Sequence, residues 1–490
     1  MKIVLSTSPE NWMNMGRYLP SLGLLYIAGS MEAAGHKVKV VDAYIDGLDV
    51  EKTAQKIKSF QPDIVGITAT SHNRFNAIPL MDRVKELTGA TIFTGGKHFG
   101  RVPEDTLNTC KGVDIVFMSE SEIPPAEVAT AIEQGKDYST VMGIAYREDN
   151  KVKFTFPAKP VMDINTLPSP AWHLLDMSKY ETYLEGEAFL EGEAKTKAIG
   201  VMSSRGCPNL CSFCQDANAV PFRLRDPKLF IDEIEMIYKK YGIKGFDIWD
   251  DTFTVVKHHV YDICKEIKQR KLDIKFYVRA RVDTVNADML RELKSAGCAI
   301  LGYGVESGSQ KILNIMHKRI TIPQVLDAVK LTVDSGMTCK TFWMHSLPGE
   351  TLEDIKMTLD LMRRVYKMVG TEEIPAHANF ATIYPGTELE MIARKEGLIP
   401  KDFSWNKYVE FPQPKLINYD ATVPLYENPN LKVSEILAFC YRYNTSKSGM
   451  MKKGIRGLTR VRSLEDIKHM AVMGREYLFA KQLETLPHDN

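Results

Sequence analysis

Residues 203–214 read Ser-Ser-Arg-Gly-Cys-Pro-Asn-Leu-Cys-Ser-Phe-Cys, and their three cysteines have the spacing Cys207-x3-Cys211-x2-Cys214. The segment follows a short apolar run at residues 198–203, which is typical of a buried strand. Three thiolates on one short loop can hold three irons of a cubane [4Fe–4S] cluster and leave the fourth iron without a protein ligand. Such an open iron can bind a substrate.

Zinc is the alternative metal for these cysteines. A structural zinc site needs four protein ligands, but no second cysteine pair follows, and the nearest histidines, His173 and His258, are distant in sequence. We therefore favour a cluster over zinc. The other five of the eight cysteines are scattered singly, and we expect them to be small buried hydrophobic side chains; they are Cys110, Cys264, Cys298, Cys339 and Cys440.

Residues 196–395 alternate between strand-like and helix-like segments. Strands are predicted at 198–203, 245–250, 274–279, 299–305, 338–345 and 378–384, with helices at 228–240, 256–270, 287–295, 322–335 and 352–369. Six β/α units are fewer than the eight of a complete TIM barrel, so the pattern predicts a partial (β/α)6 barrel. Chemistry in such barrels lies at the carboxyl ends of the strands, which is where the cysteine segment falls.

Residues 1–145 show a second alternation. Predicted strands at 2–6, 37–42, 63–68, 91–95 and 114–118 are nearly continuous apolar runs, and helices are predicted at 22–34, 50–59 and 78–87. This pattern indicates an α/β domain with a flavodoxin-like (Rossmann-type), doubly wound parallel sheet, which binds ligands at the carboxyl ends of its strands. The proline-rich residues 146–195 are predicted to be a linker, and residues 396–490 a mostly helical C-terminal domain that shapes the substrate site, with a helix near 433–443 and a basic tract at 447–475.

Composition limits the classes of function. The 490 residues are 44% hydrophobic and 26% charged, with 63 Lys and Arg against 62 Asp and Glu. Global disorder is excluded by this balance, and a net charge of +1 gives no drive toward nucleic acid. The sequence contains no apolar run long enough for a membrane span or for a signal peptide, so we expect a cytoplasmic protein with reduced thiols.

The three-cysteine loop after the first strand of a partial barrel resembles the radical SAM superfamily. The resemblance implies that Cys207, Cys211 and Cys214 ligate a [4Fe–4S] cluster, that the neighbouring Phe213 contacts a cofactor, and that S-adenosylmethionine (SAM) chelates the fourth iron. It also implies that an external electron donor, such as flavodoxin or ferredoxin, reduces the cluster. The reduced cluster would cleave the sulfonium and release a 5′-deoxyadenosyl radical.

Further matches to this family lie at the ends of the predicted strands. Asp250 and Asp251 resemble the element that holds the SAM ammonium, although a helix N-cap is an equal alternative. Arg279 or Arg281 can bind the SAM carboxylate. Side chains two residues apart on a strand point to the same face, so the sequence does not choose between them. Glu306, in the segment Gly-Val-Glu-Ser-Gly, matches the element near the SAM ribose.

A flavodoxin-like domain before such a barrel resembles the cobalamin (B12)-dependent, class B radical SAM methyltransferases, a branch that includes the anaerobic Mg-protoporphyrin monomethyl ester cyclases. The resemblance covers residues 1 to about 390. It implies that the nucleotide tail of cobalamin enters the carboxyl edge of the first sheet, where close contact requires small residues. The candidate contacts are Thr68, Thr70, Ser71, Gly95 and Gly96.

The sequence departs from this class at two places. The Asp-x-His-x-x-Gly motif, which supplies a histidine ligand to cobalt, is absent, and whether His72, Asn73 or Arg74 lies beneath cobalt is open. In addition, Ser-Glu-Ser-Glu at residues 119–122 stands where relatives often have Gly-Glu-Gly-Glu.

Three hypotheses for function follow. The first is a B12-dependent radical SAM enzyme that uses methylcobalamin to methylate an unactivated carbon, or a phosphorus centre, of a small molecule or biosynthetic intermediate. The second is a cyclase or rearrangement enzyme of the same branch, because homology at this level does not separate the two reactions. The third is a non-catalytic cobalamin or Fe–S sensor, which reductive cleavage of SAM would exclude.

Overall fold

The computed structural model describes residues 1–9, 19–184, 196–217, 220–370, 375, 377–411 and 420–444. The strands of the N-terminal part are β1 (Lys2–Thr7), β2 (Lys37–Val41), β3 (Ile64–Thr68), β4 (Thr91–Thr94), β5 (Ile115–Phe117), β6 (Ile144–Glu148) and β7 (Lys151–Phe154). They form one sheet in the order β2-β1-β3-β4-β5-β6-β7, and β1 to β5 are parallel. The order 2-1-3-4-5 is that of flavodoxin-like sheets, so the predicted fold is confirmed.

Helices cover both faces of this sheet. They are α1 (Leu22–Ala33), α2 (Val50–Ser59), α3 (Arg74–Thr88), α4 (Gly96–Phe99), α5 (Pro103–Thr109) and α6 (Pro124–Glu133). Alternate side chains of β1 enter different cores: Ile3 and Leu5 pack with α1 and α6, whereas Val4 packs with α2 and α3. Burial on both faces explains why these strands are apolar throughout rather than alternating.

The sheet continues beyond residue 145, the predicted end of the first domain. Antiparallel pairing adds β6 to β5 and β7 to β6, so the sheet extends to Phe154, into the segment that was predicted to be a linker. The hairpin turn contains Asp149 and Asn150, both with left-handed backbone angles (φ 49° and 60°). Two positive φ angles are what a two-residue type I′ hairpin needs, and Asp and Asn tolerate them.

The second part is a partial barrel. Its strands are β8 (Ala198–Val201), β9 (Ser204–Arg205), β10 (Arg223–Leu224), β11 (Gly245–Ile248), β12 (Lys275–Ala280), β13 (Cys298–Glu306), β14 (Thr338–His345) and β15 (Asn379–Phe380). Six of them form a parallel sheet in the order β15-β14-β13-β12-β11-β8, and β9 pairs with β10 separately. The predicted (β/α)6 architecture is confirmed.

Helices surround the outer face of this sheet. They are α7 (Pro227–Tyr241), α8 (Lys257–Gln269), α9 (Ala287–Ser295), α10 (Gln310–Ile315), α11 (Ile322–Asp334), α12 (Leu352–Val369), α13 (Glu388–Lys395) and α14 (Val433–Asn444). Local sequence sets several ends: Asp226 caps α7 by accepting from the backbone of Lys228 and Leu229, and Gly242 ends it in a left-handed conformation. Thr351 and Asp354 form a capping box on α12.

Predicted and observed elements agree closely where apolar periodicity is strong. The helices at 50–59, 287–295 and 352–369 and the strand at 338–345 are confirmed to the residue. The short helices α4, α5, α10 and α13 and the longer α6 were not predicted. The basic tract at 447–475 lies outside the described residues. Among the described helices, none combines the length and apolar character that crossing a membrane requires.

Candidate functional site

A cavity of about 490 Å³ lies where the carboxyl edge of the N-terminal sheet meets the cysteine segment. On the side of the sheet its lining includes Thr68, Gly95, Gly96, Ser119 and Glu120, and on the side of the barrel Ser204, Arg205, Gly206, Trp249 and Asp251. Apolar side chains of the sheet also line it, among them Leu5, Ile67, Phe93 and Phe117. The two edges that were predicted to bind ligands therefore open into one chamber.

Asp250 anchors the start of the cysteine segment. Its buried carboxylate accepts hydrogen bonds from the backbone N–H groups of Ser203 and Ser204 at 2.7 and 3.0 Å, and from their hydroxyls at 2.6 and 2.7 Å. Burial raises the pKa of this carboxyl group, and the four donors oppose the shift. Because α8 begins only at Lys257, the helix N-cap alternative is wrong.

Cys207, Cys211 and Cys214 lie on the loop between β9 and β10. Asn209 donates to the Sγ of Cys207 at 3.3 Å, and the backbone N–H of Asp216 donates to the Sγ of Cys214 at 3.4 Å. Burial raises the pKa of the Cys211 thiol, and it raises the pKa of Cys214 to about 11. Iron ligation would deprotonate these thiols, and N–H donors to sulfur would then stabilise the thiolates.

Cys207, Cys211 and Cys214 are free of disulfides and lie within eight residues of one another on one loop. In a cubane each thiolate binds a different iron, and three cysteines leave the fourth iron without a protein ligand. The three cysteines therefore provide the donor set of such a cluster. Among the described residues, no group of three or more His, Cys, Asp and Glu side chains is placed to hold a single metal ion.

Asp251, unlike Asp250, opens into the cavity. Enclosure by the protein raises the pKa of its carboxyl group to about 6; Asp216 raises this pKa further, and Lys97 opposes the shift. Lys97 Nζ lies 2.7 Å from Asp216 Oδ2, so this ion pair joins the N-terminal domain to the end of the cysteine segment. The carboxylate of Asp251 is placed to accept from a ligand in the cavity.

Arg279 and Arg281 do not occupy equivalent positions. Arg279 donates to both carboxylate oxygens of Asp247, at 2.8 and 3.2 Å. The strand β12 ends at Ala280, so alternation does not reach Arg281, which is buried and binds Asp283 with two contacts of 2.9 Å. Each arginine has a carboxylate partner, so a second carboxylate would have to share the guanidinium or displace that partner.

Glu306 ends β13 and faces a lysine that the sequence analysis did not single out. Its Oε1 accepts from Lys318 Nζ at 2.9 Å, and both side chains are buried. The ring of Phe213, in the cysteine segment, has the same ammonium 5.8 Å from its centroid. Glu306 and Phe213 therefore meet at Lys318.

Three of the five residues predicted to contact cobalamin line the cavity, namely Thr68, Gly95 and Gly96. Gly96 has a φ angle of 78°, and a Cβ at Gly95 would lie 2.9 Å from the carbonyl oxygen of Phe117. Neither position therefore accepts a side chain without strain, and the backbone is left open to a ligand.

The other two predicted contacts, Thr70 and Ser71, are not part of the cavity lining. Thr70 donates to the side chain of Asn73 through its backbone N–H at 2.7 Å. Ser71 is buried, and its hydroxyl lies 2.9 Å from His98 Nδ1. Both residues shape the turn before α3 rather than the cavity wall.

None of the three residues considered as ligands beneath cobalt lines the cavity. The ring of His72 lies 3.0 Å from the hydroxyl of Tyr384, and Asn73 accepts from the preceding turn. Arg74 is fully buried and donates to the carbonyl oxygen of Trp405 at 2.6 Å. His72 and Arg74 instead attach the N-terminal domain to the C-terminal part of the chain.

The sequence analysis missed the ion pairs that close one wall of the cavity. Glu120 accepts two hydrogen bonds of 2.7 Å from Arg223, and Glu122 accepts from Arg205, the second residue before Cys207. Glu122 thus holds the cysteine segment, and Glu120 holds β10, against the N-terminal sheet. The departure from Gly-Glu-Gly-Glu at 119–122 lies in the two serines, so it leaves these carboxylates in place. The sequence showed the charges, but pairing across about a hundred residues depends on tertiary structure.

Comparison with known families is consistent with this arrangement. Residues 201–362 match the Radical SAM superfamily, and residues 13–129 match the B12 binding domain. An uncharacterized methyltransferase of Pyrococcus horikoshii is 31% identical over 478 residues, which cover 94% of this chain and 98% of that protein. The chain belongs to the cobalamin-dependent radical SAM enzymes.

Two further proteins are similar to the chain in sequence or in fold. The anaerobic magnesium-protoporphyrin IX monomethyl ester cyclase of Rubrivivax gelatinosus is 29% identical over 354 residues, covering 70% of this chain and 62% of the cyclase. The structure of the radical SAM methyltransferase TsrM of Kitasatospora setae, with cobalamin and a [4Fe–4S] cluster bound, superposes with a TM-score of 0.69. That match is 16% identical and covers 98% of this chain and 99% of TsrM, so it shows a common fold.

The cofactors of this radical SAM methyltransferase are a [4Fe–4S] cluster, SAM and cobalamin. The residues present fit them: three free thiols on one loop suit a cluster, and the cavity edge at Gly95 and Gly96 leaves backbone open to a large ligand. The cavity brings both features together.

Proposed function

We propose that this enzyme cleaves SAM reductively and methylates an unactivated carbon, or a phosphorus centre, of a small-molecule substrate. The observation that carries the proposal is the single cavity lined by the glycine edge of the N-terminal sheet and by the segment that leads into Cys207. Methyl transfer needs the methyl carrier and the radical source to reach the same substrate, and one shared chamber meets that requirement.

The proposal gives each side chain a distinct task. Cys207, Cys211 and Cys214 hold the cluster, and Asp251 accepts from the SAM ammonium because its carboxylate opens into the cavity. Asp250 keeps the cysteine segment in position through its four donors. The bound cluster supplies the electron that breaks the sulfonium, and cobalamin carries the methyl group.

The other residues that were predicted to contact a cofactor have roles in the same site. Thr68, Gly95 and Gly96 face cobalamin in the cavity. Arg279 and Arg281 are the candidates for the SAM carboxylate, each in competition with an aspartate that it already binds. Glu306 stands near the SAM ribose, where its carboxylate can accept from hydroxyl groups. An external flavodoxin or ferredoxin supplies the electron.

The test is anaerobic reconstitution with iron, sulfide and cobalamin, followed by incubation with SAM and a reductant. 5′-Deoxyadenosine reports reductive cleavage, and S-adenosylhomocysteine reports loss of the SAM methyl group. We expect both products from the wild-type enzyme and no 5′-deoxyadenosine from Cys207→Ala, Cys211→Ala or Cys214→Ala. Cys110→Ala, which changes a buried cysteine of the N-terminal domain, is the control and should keep both activities.

Retention of SAM cleavage by the triple cysteine variant would refute the cluster site. Wild-type protein that binds cobalamin but forms no 5′-deoxyadenosine would instead favour the non-catalytic sensor.

A cyclase or rearrangement enzyme is the second candidate, because the Rubrivivax cyclase is similar over 70% of this chain. The mass of the product separates the two reactions. Methylation adds one CH2 unit, whereas ring formation removes hydrogen. SAM labelled in its methyl group would transfer the label to the product only in the first case.

A further inference from the structure

Lys318 places a buried ammonium group beside the cysteine segment, although no motif in the sequence points to it. The side chains of Lys318 and Glu306 are 9% and 10% exposed, and the ammonium lies 2.9 Å from Glu306 Oε1. Burial lowers the pKa of this ammonium, but Glu306 and the Cys211 thiol outweigh burial and raise the pKa overall. The group is therefore a fixed positive charge at neutral pH.

The turn that carries Lys318 also contacts the cysteine segment directly. The backbone N–H of Ser212 donates to the carbonyl oxygen of Met316 at 3.3 Å, and the Ser212 hydroxyl lies 3.4 Å from Met316 Sδ. On the opposite side, Arg281 donates to the carbonyl oxygen of Lys318 at 2.8 Å. The turn that carries Lys318 is thus held against Ser212, the residue that follows Cys211.

The backbone around this ion pair is strained. Glu306, His317 and Arg319 have φ angles of 70°, 54° and 55°, in the left-handed region that side-chain-bearing residues rarely adopt. At Gly304 a Cβ would lie 2.5 Å from Glu306 Oε1 and 2.9 Å from Lys318 Nζ, so a larger residue there would displace the ends of these two side chains from their present positions. Strain of this kind persists where surrounding structure enforces it and often marks functional sites.

We propose that Lys318 is a positioning and tuning residue whose buried charge, held by Glu306, raises the reduction potential of the cluster on Cys207, Cys211 and Cys214. The inference rests on the proposed cluster site.

The physical reason is electrostatic. Reduction adds one negative charge to the cluster, and a nearby cation stabilises the reduced state more than the oxidised state. Buried charges are weakly screened, so this effect is larger than that of a surface lysine. Charge and hydrogen bonding around the ligating sulfurs are known determinants of cluster potentials. The carboxylate of Glu306 partly offsets the lysine, so the two side chains should act with opposite sign.

The test is an EPR-monitored potentiometric titration of the reconstituted cluster without SAM, in the wild type and in Lys318→Met, Lys318→Arg and Glu306→Gln. At the wild-type midpoint, we expect the ratio of reduced to oxidised cluster in Lys318→Met to fall about tenfold, which equals a downward shift of about 59 mV for a one-electron couple. Lys318→Arg keeps the charge and should stay near the wild type. Glu306→Gln should shift the midpoint upward.

The matched control is Lys311→Met. Lys311 is also paired with a carboxylate, that of Asp354, but its side chain is half exposed, so water screens its charge. Equal midpoints for Lys318→Met and Lys311→Met, or shifts of the same sign in Lys318→Met and Glu306→Gln, would overturn the proposal. Weakened SAM binding in Lys318→Met with an unchanged midpoint would assign the lysine to SAM and would also overturn it.

Iron content and the spectrum of the wild-type protein distinguish this inference from the proposed function. If the wild type forms no [4Fe–4S] cluster, the proposed function fails. If the wild-type cluster forms and cleaves SAM but the Lys318 variants titrate normally, only the role of Lys318 fails.

Discussion

At the scale of one residue, Glu350 shows how burial changes the pKa of a carboxyl group that has too few hydrogen-bond donors around it. It lies just beyond the end of β14 and is 1% exposed. One carboxylate oxygen accepts from the backbone of Leu347 at 3.1 Å, whereas the other has no hydrogen-bond partner among the described residues. Burial therefore raises the pKa of Glu350 to about 8, and the backbone donors only partly offset this shift. Near neutral pH the folded protein keeps this carboxyl group mostly protonated.

Glu350→Gln should reveal this protonation as a dependence of stability on pH. In the unfolded chain the carboxyl group ionises at its ordinary pKa of 4.5, and in the folded protein at about 8. Stability from Glu350 is therefore complete below pH 4.5 and falls as pH rises toward 8. The difference in unfolding free energy between variant and wild type should change by about 4 kcal/mol in favour of the variant across this window.

Urea unfolding at several pH values measures this difference, and any constant effect of the amide cancels in the comparison across pH. Glu353→Gln, at an exposed position on α12, is the control. A difference for Glu350→Gln that does not vary between pH 5 and pH 8 would contradict the raised pKa.

At the scale of an element, the cysteine segment is held by contacts at its start, in its middle and directly after its end. Asp250 binds its start, and Met316 binds Ser212 in its middle. Lys97 and Arg101 of the N-terminal domain bind residues 215–216, which follow it. A loop without regular structure depends on such contacts for its conformation. The positions of the three thiols are thus determined by elements that are far away in sequence.

Asp250→Ala should loosen the start of this segment. Four donors of Ser203 and Ser204 would lose their acceptor in a buried place, at a cost of about 1–3 kcal/mol for each donor left unsatisfied. We expect a large loss of stability in urea and a lower iron content after reconstitution. Asp250→Asn, which keeps one acceptor oxygen, should lie between the alanine variant and the wild type.

Full iron content and normal SAM cleavage in Asp250→Ala would show that the segment does not need this anchor. Asp273→Ala, which removes an exposed carboxylate before β12, controls for the loss of charge alone and should leave the iron content unchanged.

At the scale of the whole molecule, α3 attaches the C-terminal part of the chain to the N-terminal domain through hydrogen bonds. Arg74 donates to the carbonyl oxygens of Trp405 and Thr422 at 2.6 and 2.7 Å, and to that of Ser71. Burial lowers the pKa of this guanidinium to about 10, and Asp420 and Asp105 oppose the shift. The group stays charged at neutral pH and satisfies carbonyls from three places in the sequence.

Arg74→Ala should therefore release residues 404–411 and 420–426 from the N-terminal domain. Loss of these buried hydrogen bonds should cost about 3 kcal/mol. Arg83→Ala, on the same helix but in exposed pairs with Glu51 and Glu86, should cost much less stability, because water screens such pairs. Hydrogen exchange resolved by mass spectrometry should show faster exchange at 404–411 and 420–426 only in Arg74→Ala. Equal exchange in both variants would argue against this attachment.

Those features of the fold that depend on neighbouring residues could be predicted from the sequence. Apolar periodicity predicted both sheets, because strands buried on both faces must be apolar throughout. It did not predict the β6–β7 hairpin, whose turn lacks glycine, or the helices α4, α5, α10 and α13, which are too short to show a period. The cavity includes Thr68, Gly95 and Gly96 but not Thr70 and Ser71, because side chains beyond the strand end turn toward α3.

By itself, the sequence determined the order of the two α/β parts and the three-cysteine loop, since both are patterns of neighbouring residues. Only the tertiary structure decided that Asp250 is an anchor while Asp251 faces the cavity, and that Arg279 and Arg281 bind different acids. It alone brought Lys318 to Glu306 and Arg205 to Glu122. Such pairings depend on which strand ends and turns meet in space, and no local sequence pattern encodes which of them meet.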